Sequence, residues 1–273
     1  MRIQIVDAFT AEPFAGNPAG VVVLSEFPAA EWMQRVAAEV NLSETAFLHP
    51  LTPGADADFA LRWFTPAVEV ALCGHATLAT AHILGRDKTS FATLSGVLTA
   101  TSAGDGWYTL DFPTAPLTPV DAPPWLAGVL GAEIVSVHHT GPNTDDLLVE
   151  LRDEATVRGL RPDLASLARR ENRGVVVTAR AADREGGYDF VSRFFGAAAG
   201  VGEDPVTGSA HTALTPFWSA RLGGRTELTG YQASARGGYV RVMLAGDRTH
   251  LTGQAVTVID GELRVQPVCS STS

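Results

Sequence analysis

The sequence predicts an α+β fold of two pseudo-symmetric halves, each a barrel-like β domain wrapped around a central helix. The main observation is a motif that occurs twice, beginning at Arg62 and again at Arg193, where an arginine and two aromatic residues are followed by an acidic residue and a glycine. That glycine is Gly74 in the first copy and Gly208 in the second. A repeat of roughly 130 residues is too long for a solenoid and indicates two related domains.

A helix rich in alanine, threonine and leucine follows the glycine in each copy. The first is expected over 75–84 and ends at Gly85, a suitable left-handed cap. The second is expected from Ser209 to about Leu222, with Pro216 as a point where it kinks. Apolar residues surround the first helix almost completely, so we expect this helix to be buried.

Alternating and β-branched runs predict the strands around these helices. In the first half they cover 2–9, 21–24, 41–48, 58–64, 91–101 and 107–112, with a further helix over 31–40. In the second half they cover 134–139, 147–151, 175–178, 188–195 and hairpin strands within 227–265, with a helical stretch over 163–170. A proline-rich linker over 113–124 places the domains at 1–116 and 125–262. Residues 263–273 form a tail, and its return to the first half is left open.

Charge and hydropathy exclude several classes of function. The chain has 273 residues, with 20 Lys and Arg against 30 Asp and Glu, and a formal net charge of -10. With no basic run, nucleic acid and anionic membrane surfaces are poor partners. The start of the chain lacks the apolar core of a signal peptide, and no later apolar run approaches membrane length. These features predict a cytoplasmic protein.

The motifs of metal and nucleotide sites are absent from the sequence. HExxH, CxxC, GxGxxG and the Walker pattern do not occur, and no cluster of histidines and carboxylates has the spacing of a metal site. Only two cysteines are present, Cys73 and Cys269, so a disulfide framework is not expected. We therefore predict no metal and no cofactor, and a small molecule as the partner.

The two helix starts indicate a site for carboxylates. Backbone N–H groups in the first turn of a helix lack intrahelical partners and carry partial positive charge, so the starts at Gly74 and Gly208 would bind anions. For a single copy the alternative stays open that glycine only permits a turn and that a hydroxyl only caps the helix. Polar residues in register in both copies favour binding.

Glu44 is the candidate general acid and base. The expected strand over 41–48 places Leu42, Ala46 and Leu48 on one face, and the alternation puts Glu44 on that same face. A carboxylate on an apolar face loses hydration, so we expect its pKa to rise towards the range useful for proton transfer near neutrality. The alternative, an edge strand with a solvated Glu44, stays open.

Four sequence blocks resemble the PhzF-like isomerases, a family named for a phenazine-biosynthesis enzyme. The blocks are DAFTAEPFAGNPAGVVVL, NLSETAFL, RWFTPAVEVALCGHATLATAHIL and EDPVTGSAH, and they run in order from Asp7 to His211. The resemblance implies the diaminopimelate-epimerase fold with the active site between the two halves. It also implies a cofactor-free isomerase that moves a proton on a small carboxylated substrate, usually as a homodimer.

The same resemblance implies roles for individual residues. The glutamate of the second block, Glu44, is the expected proton carrier. His75, Asp204 and Ser209 are expected to bind and orient the substrate. The remaining expected substrate contacts are in the first block and at the two helix starts: Asn17, Gly74, Ala76 and Gly208.

Three other functions remain open from the residues alone. A two-thiol racemase or epimerase would use a cysteine from each half, but Cys73 is matched by Thr207 in the second copy and Cys269 lies in the tail. A hydrolase would use Ser209 and His211, although no GxSxG turn precedes them. A non-catalytic small-molecule-binding protein could share the fold, because fold does not determine function.

Overall fold

A computed structural model of the protein describes residues 1–183 and 185–266. The chain divides into two compact units. Of the described residues, the first unit comprises Met1–Phe14, Pro18–Leu110 and those from Gly253 onward, and the second comprises those within Ala15–Asn17 and Asp111–Thr252. Within the described ranges no helix is long and apolar enough to cross a membrane.

The first 113 residues form eight strands and two helices. The strands are β1 (Arg2–Ala8), β2 (Asn17–Val23), β3 (Glu44–Pro50), β4 (Phe59–Phe64), β5 (Glu69–Val70), β6 (Lys88–Thr93), β7 (Gly96–Gly104) and β8 (Trp107–Pro113). The helices are α1 (Ala30–Val40) and α2 (Gly74–Leu84). Helix α1 ends at Asn41, which adopts the left-handed conformation with φ of 53°.

The remainder of the described chain forms nine strands, four α-helices and a short 3-10 helix at Ala197–Ala199. The strands are β9 (Thr118–Val120), β10 (Ile134–His139), β11 (Asp146–Leu151), β12 (Gly174–Arg180), β13 (Phe190–Gly196), β14 (Val201–Asp204), β15 (Glu227–Gln232), β16 (Gly238–Ala245) and β17 (Arg248–Glu262). The helices are α3 (Leu126–Leu130), α4 (Glu154–Gly159), α5 (Leu164–Leu167) and α6 (Gly208–Arg221).

The strand pairing of the first unit is repeated in the second. In the first unit β3 is parallel to β2 and antiparallel to β4, and β4 is parallel to β6. In the second unit β12 is parallel to β11 and antiparallel to β13, and β13 is parallel to β15. The repeat seen in the sequence is therefore a repeat of architecture, and the predicted α+β class of two pseudo-symmetric halves is confirmed.

Each unit contains one buried central helix. Every residue of α2 from Gly74 to Ala81 is buried, as its nearly continuous apolar surface predicted, and Gly85 ends it with φ of 60°. Helix α6 is buried along most of its 14 residues and contains Pro216. The apolar core of the second unit also contains strand residues, among them Val149, Val177 and Phe195.

The structure differs from the predicted domain bounds at the end of the chain. Strand β17 has 15 residues. Its first part pairs with β16, ending at Arg241↔Thr252, and its later part pairs with β1, from Ala8↔Ala255 to Arg2↔Glu262. Residues 253–262 therefore belong to the first unit and not to the predicted half 125–262. Residues 267–273, including Cys269, lie outside the described residues.

Several predicted elements are shorter or divided. The expected strand 91–101 is interrupted by a turn between β6 and β7, where the hydroxyl of Thr93 donates to the carbonyl of Gly96. The helical stretch 163–170 contains only the single turn of α5, of which only Leu167 is buried. The proline-rich segment 113–124 contains β9, which pairs with β10. Helices α3 and α4 and strand β14 were not predicted.

Candidate active site

Glu44 is the first residue of a central strand. It pairs with Ala19 of β2, and the next residue, Thr45, pairs with Phe64 of β4. Strand β3 is therefore not at an edge of the sheet. The side chain of Glu44 remains 16% exposed. Ala46 and Leu48 alternate with Glu44 and are fully buried, whereas Leu42 precedes the strand. The carboxylate thus lies at the end of an apolar strand face with limited access to solvent.

His75 lies beside this carboxylate. It is the second residue of α2 and is buried. Its Nε2 atom is 3.3 Å from Oε2 of Glu44. Burial lowers the pKa of His75 to about 3, because a charged imidazole would lose its hydration. The imidazole is consequently neutral at physiological pH, so its close contact with Glu44 joins a neutral ring and a carboxyl group and is not an ion pair.

Cys73 lies beside His75 and Glu44, and the three polar or ionisable side chains form one cluster. It occupies the cap position before α2 and is buried. Its Sγ atom is 3.6 Å from Nδ1 of His75. No local pattern indicates this cluster, because Glu44 and Cys73 are distant in the chain and only the fold brings them together.

The same three side chains are the group in the described chain that could surround a metal ion. Their potential ligand atoms all lie within 4.8 Å of one another, contrary to the expectation of no such cluster. Their shortest contacts, however, use opposite ring nitrogens: Nδ1 of His75 faces Cys73 and Nε2 faces Glu44. The three side chains therefore form one compact cluster around the imidazole.

In the second unit, Asp204 lies at the end of β14 in a buried polar network. The amide of Asn17 donates to Oδ1 of Asp204 at 2.8 Å and to the carbonyl of Val206 at 2.8 Å. The hydroxyl of Thr207 donates to Oδ2 of Asp204. Asn17, expected as a substrate contact, is completely buried and positions Asp204 in this structure.

Gln232 is a member of this network that the sequence analysis missed. Its amide donates to the carbonyl of Asp204 at 2.8 Å and to the hydroxyl of Thr207 at 3.1 Å. Its side-chain oxygen accepts from the backbone N–H of Thr207 at 2.9 Å. Gln232 thereby fixes the turn that leads into α6. No local sequence signal could have identified it, because it belongs to β15, beyond the end of α6.

Arg173 is a second residue that the sequence analysis missed. Its guanidinium pairs with the buried carboxylate of Asp146, with Nε at 2.9 Å from Oδ1, and Nη2 donates to Oγ of Ser209 at 3.0 Å. The side chain of Arg173 is 33% exposed. A guanidinium is well suited to bind carboxylates, so Arg173 and Ser209 together form a candidate carboxylate-binding group.

His211 and Ser209 do not form a catalytic pair. Nδ1 of His211 is 2.8 Å from the carbonyl of Thr207, while the hydroxyl of Ser209 accepts from Arg173. Burial lowers the pKa of His211 to about 4. The hydrolase alternative requires a histidine hydrogen-bonded to the serine, and the described side chains do not provide that contact.

The two helix starts are equivalent in the repeat. Helix α2 begins at Gly74 after Cys73, and α6 begins at Gly208 after Thr207, with extended backbone at both cap residues. Throughout the described chain, the side chains of these two caps make no hydrogen bond to the helix N–H groups. Uncapped N–H groups in a first turn retain the capacity to bind anions, and substrate contact by Gly74, Ala76 and Gly208 stays a prediction.

Comparison with known proteins identifies relatives along the whole chain. A family model, PhzC-PhzF, described as "Phenazine biosynthesis-like protein", matches residues 6–261. An uncharacterized isomerase of Halalkalibacterium halodurans is 47% identical over 269 residues, which cover 96% of this chain and 97% of the relative. Among solved structures, a PhzF-family phenazine biosynthesis protein of Enterococcus faecalis has a TM-score of 0.87 at 39% identity, covering 97% of this chain and 99% of its own.

A more distant structure shares the fold alone. A probable proline racemase of Agrobacterium radiobacter K84 superimposes with a TM-score of 0.63 at 14% identity, covering 98% of this chain and 94% of that one. The resemblance noted in the four sequence blocks is thus confirmed by the family model, by sequence relatives named isomerases and by solved structures. The chain belongs to the PhzC-PhzF family of phenazine biosynthesis-like proteins.

Proposed function

We propose that the protein is a cofactor-independent isomerase that shifts a proton on a small carboxylated metabolite, with Glu44 as the general acid and base. Its family contains relatives named isomerases, which supports isomerisation as the class of reaction. The position of Glu44, largely shielded from solvent at the start of β3 and 3.3 Å from a neutral histidine, supports its role as proton carrier.

The observation that carries the proposal is an asymmetry within the repeat. Arg62 pairs with Phe47 of β3, and its counterpart Arg193 pairs with Val177 of β12. Counting back three residues along each strand places Glu44 and Gly174 at equivalent positions. One unit therefore carries a carboxylate where the other carries no side chain. This difference favours a mechanism in which a single base removes a proton and returns it elsewhere on the same molecule.

A second difference between the two units, at the residue before the central helix, argues against the two-thiol alternative. Cys73 and Thr207 occupy equivalent cap positions, so the second unit offers a hydroxyl where a racemase of this type would need a thiol. The hydroxyl of Thr207 is already directed to Asp204. A racemase that uses one thiol from each half is therefore not part of the proposal.

The other groups would bind and orient the substrate. Ser209 with Arg173, and the N–H groups at the helix starts, would hold a carboxylate and stabilise negative charge that develops during proton removal. Asp204 would accept a hydrogen bond from an amine or hydroxyl of the substrate. His75 would donate to Glu44 and keep the carboxylate in place. We also propose a homodimer, which the family resemblance implies, and a cytoplasmic location, which the sequence composition predicted. Sedimentation and cell fractionation would test these two points.

Glu44→Gln tests the assignment of the base. The amide has nearly the shape of the carboxylate and cannot accept a proton, so turnover should fall by about 10²-fold or more, as expected for loss of a general base. Thermal melting and ligand affinity should change little. The matched control is Glu39→Gln, which changes an exposed glutamate on α1. If Glu44→Gln retains wild-type turnover, the assignment is wrong. If wild type binds carboxylates and converts none, the protein is a non-catalytic binding protein for the compounds tested.

A further inference from the structure

One cluster in the first unit combines a thiol, an imidazole and a carboxylate. It consists of Cys73, His75 and Glu44, and the potential ligand atoms of these three residues all lie within 4.8 Å of one another. Cys73 and His75 are two residues apart at the start of α2, and Glu44 is the first residue of β3. A helix and a central strand therefore hold three different metal-binding groups at short range.

The distances in this cluster are close to those of a tetrahedral zinc site. Bonds of about 2.0–2.3 Å from Zn²⁺ to nitrogen, oxygen and sulfur place the ligand atoms of such a site about 3.3–3.8 Å apart. Sγ of Cys73 is 3.6 Å from Nδ1 of His75, and Oε2 of Glu44 is 3.3 Å from Nε2 of the same ring. An ion binds one of the two ring nitrogens, so the side chain beside the other nitrogen has to shift by about 1 Å or less.

The donor set favours Zn²⁺ over cations that prefer oxygen ligands. Thiolate and imidazole bind Zn²⁺ and similar transition metals, whereas Mg²⁺ and Ca²⁺ take oxygen ligands. The partial positive charge at the start of α2 favours the thiolate of Cys73, whose proton leaves to solvent when a metal binds. The side chain of Glu44 is 16% exposed, which gives an ion a path from solvent to the cluster.

The second unit carries different groups at the three equivalent positions. These positions hold Gly174, Thr207 and Ser209, which provide neither a thiol nor an imidazole nor a carboxylate. Among the residues that the structure describes, the cluster of the first unit is the group with the spacing of a metal site. We therefore expect one tightly bound ion per chain.

We propose that Glu44, Cys73 and His75 form a binding site for Zn²⁺ and that the bound ion inhibits the proposed isomerisation. Three protein ligands leave the fourth position of the tetrahedron to water. A carboxylate that gives an electron pair to Zn²⁺ is a poor base, so Glu44 in the loaded site cannot remove a proton from the substrate. The inhibition rests on the proposed function, whereas the binding of the ion does not.

Cobalt binding tests the site without an assay of turnover. A Co²⁺–thiolate bond gives a charge-transfer absorption in the near ultraviolet that nitrogen and oxygen ligands do not give. The full chain without an affinity tag is stripped of metal with a chelator and titrated with Co²⁺ in the Cys269→Ser background, which leaves Cys73 as the one thiol of the chain. We expect the absorption to appear and Zn²⁺ to abolish it at one ion per chain. Absence of the absorption overturns the proposal.

Competition between the protein and a coloured chelator gives the affinity for Zn²⁺. His75→Gln and Glu44→Gln should each weaken binding by about 100-fold or more, because even the loss of an outer-shell partner costs about 10–100-fold. The matched control is His139→Gln, which removes an exposed imidazole 2.9 Å from Asp145 and should bind Zn²⁺ as wild type does. Mg²⁺ should not compete. Thermal melting without metal establishes that the variants are folded, and wild-type affinity in either ligand variant contradicts the site.

Inhibition is measured with any compound that the metal-free protein converts. Zn²⁺ should inhibit wild type at the concentrations at which it binds, and excess chelator should restore the rate. In Cys73→Ser, compared with its own metal-free rate, inhibition should need about 100-fold more Zn²⁺. An unchanged or increased rate with Zn²⁺ bound overturns the inhibitory role. If no compound is converted, the proposed function fails and the inhibitory role fails with it, while the cobalt and zinc titrations still decide whether the binding site exists.

Discussion

Arg193 and Glu203 form a two-point ion pair in the second unit, with Nε at 2.7 Å from Oε1 and Nη2 at 2.9 Å from Oε2. Arg62 and Glu69 form the same pair in the first unit, with both distances at 2.6 Å. The repeat thus extends to side-chain chemistry. The two pairs differ in environment, because the side chain of Arg193 is 8% exposed and that of Arg62 is 26% exposed.

This difference predicts unequal costs for the same substitution. Arg193→Met leaves Glu203 without its partner and also removes donors to the carbonyls of Val157 and Leu160. We expect it to lower the free energy of unfolding by about 2–5 kcal/mol, chiefly because these two carbonyls lose donors from a charged group, whereas Glu203 keeps access to solvent. The matched control Arg62→Met should cost about 1 kcal/mol or less. Urea unfolding measures both, and equal losses would contradict the role of burial.

Close packing around Gly230 predicts a second effect on stability. A Cβ atom at this position would lie 2.6 Å from the ring of Phe190 and 3.0 Å from Nε2 of His211. Both neighbours are fully buried, so Gly230→Ala should destabilise the protein by about 1–3 kcal/mol through overpacking. Gly128→Ala, in α3 with nothing within 4 Å of the added carbon, is the control and should be neutral or slightly stabilising. A neutral Gly230→Ala would show that this region relaxes freely.

The buried histidines predict a loss of stability in mild acid. His75 and His211 have pKa values of about 3 and 4 in the folded protein, below their ordinary value of 6.5. Below pH 6.5 the unfolded chain therefore binds protons that the folded chain does not, so the stability present above pH 6.5 falls as the pH falls towards 4. Each histidine should contribute a loss of about 2 kcal/mol between pH 7 and pH 5.

His211→Asn isolates one of these two contributions. The variant should be less stable than wild type at pH 7 and should lose less stability on going to pH 5. Urea unfolding at pH 7, 6 and 5 gives both slopes. The same slope in the variant and in wild type would mean that His211 does not resist protonation in the folded state.

The network around Asp204 predicts a defect in activity. Asp204→Asn would place an amide where the carboxylate accepts from Asn17 and Thr207. A hydrogen bond to a charged group is worth about 1.5–3 kcal/mol, so kcat/KM should fall by tenfold or more. Steady-state kinetics beside thermal melting separates this effect from unfolding. The control is Asp121→Asn, an exposed residue of the proline-rich segment, which should retain wild-type kcat/KM. Unchanged kinetics in Asp204→Asn would remove this residue from the site.

Local patterns in the sequence were sufficient for the repeat and for the central helices. The arginine, acidic residue and glycine of each copy lie within one strand–turn–helix segment, so their spacing alone predicts α2 and α6. Helix α4 was missed although Asp153 caps it by accepting from the N–H of Thr156, a signal readable in the sequence.

Contacts between distant parts of the chain could not be predicted in this way. Asp146 and Arg173 meet because β11 and β12 are parallel neighbours, and their separation in sequence follows no rule. The sequence also does not show that the sulfur of Cys73 faces the imidazole of His75, because that contact depends on how the start of α2 is folded. The change of partner along β17, from β16 to β1, could not be predicted either. The alternation of side chains along a strand does not identify the strand that pairs with it.

The most direct test of the proposed isomerisation is proton NMR in D₂O of the protein with trans-2,3-dihydro-3-hydroxyanthranilate and related small carboxylates, with wild type beside Glu44→Gln. Wild type is expected to isomerise one of these compounds or to introduce deuterium at its reacting carbon, and Glu44→Gln is expected to do neither while remaining folded. Equal exchange by wild type and Glu44→Gln would contradict the assignment of Glu44. Binding without exchange by wild type for every compound would contradict the proposed isomerisation.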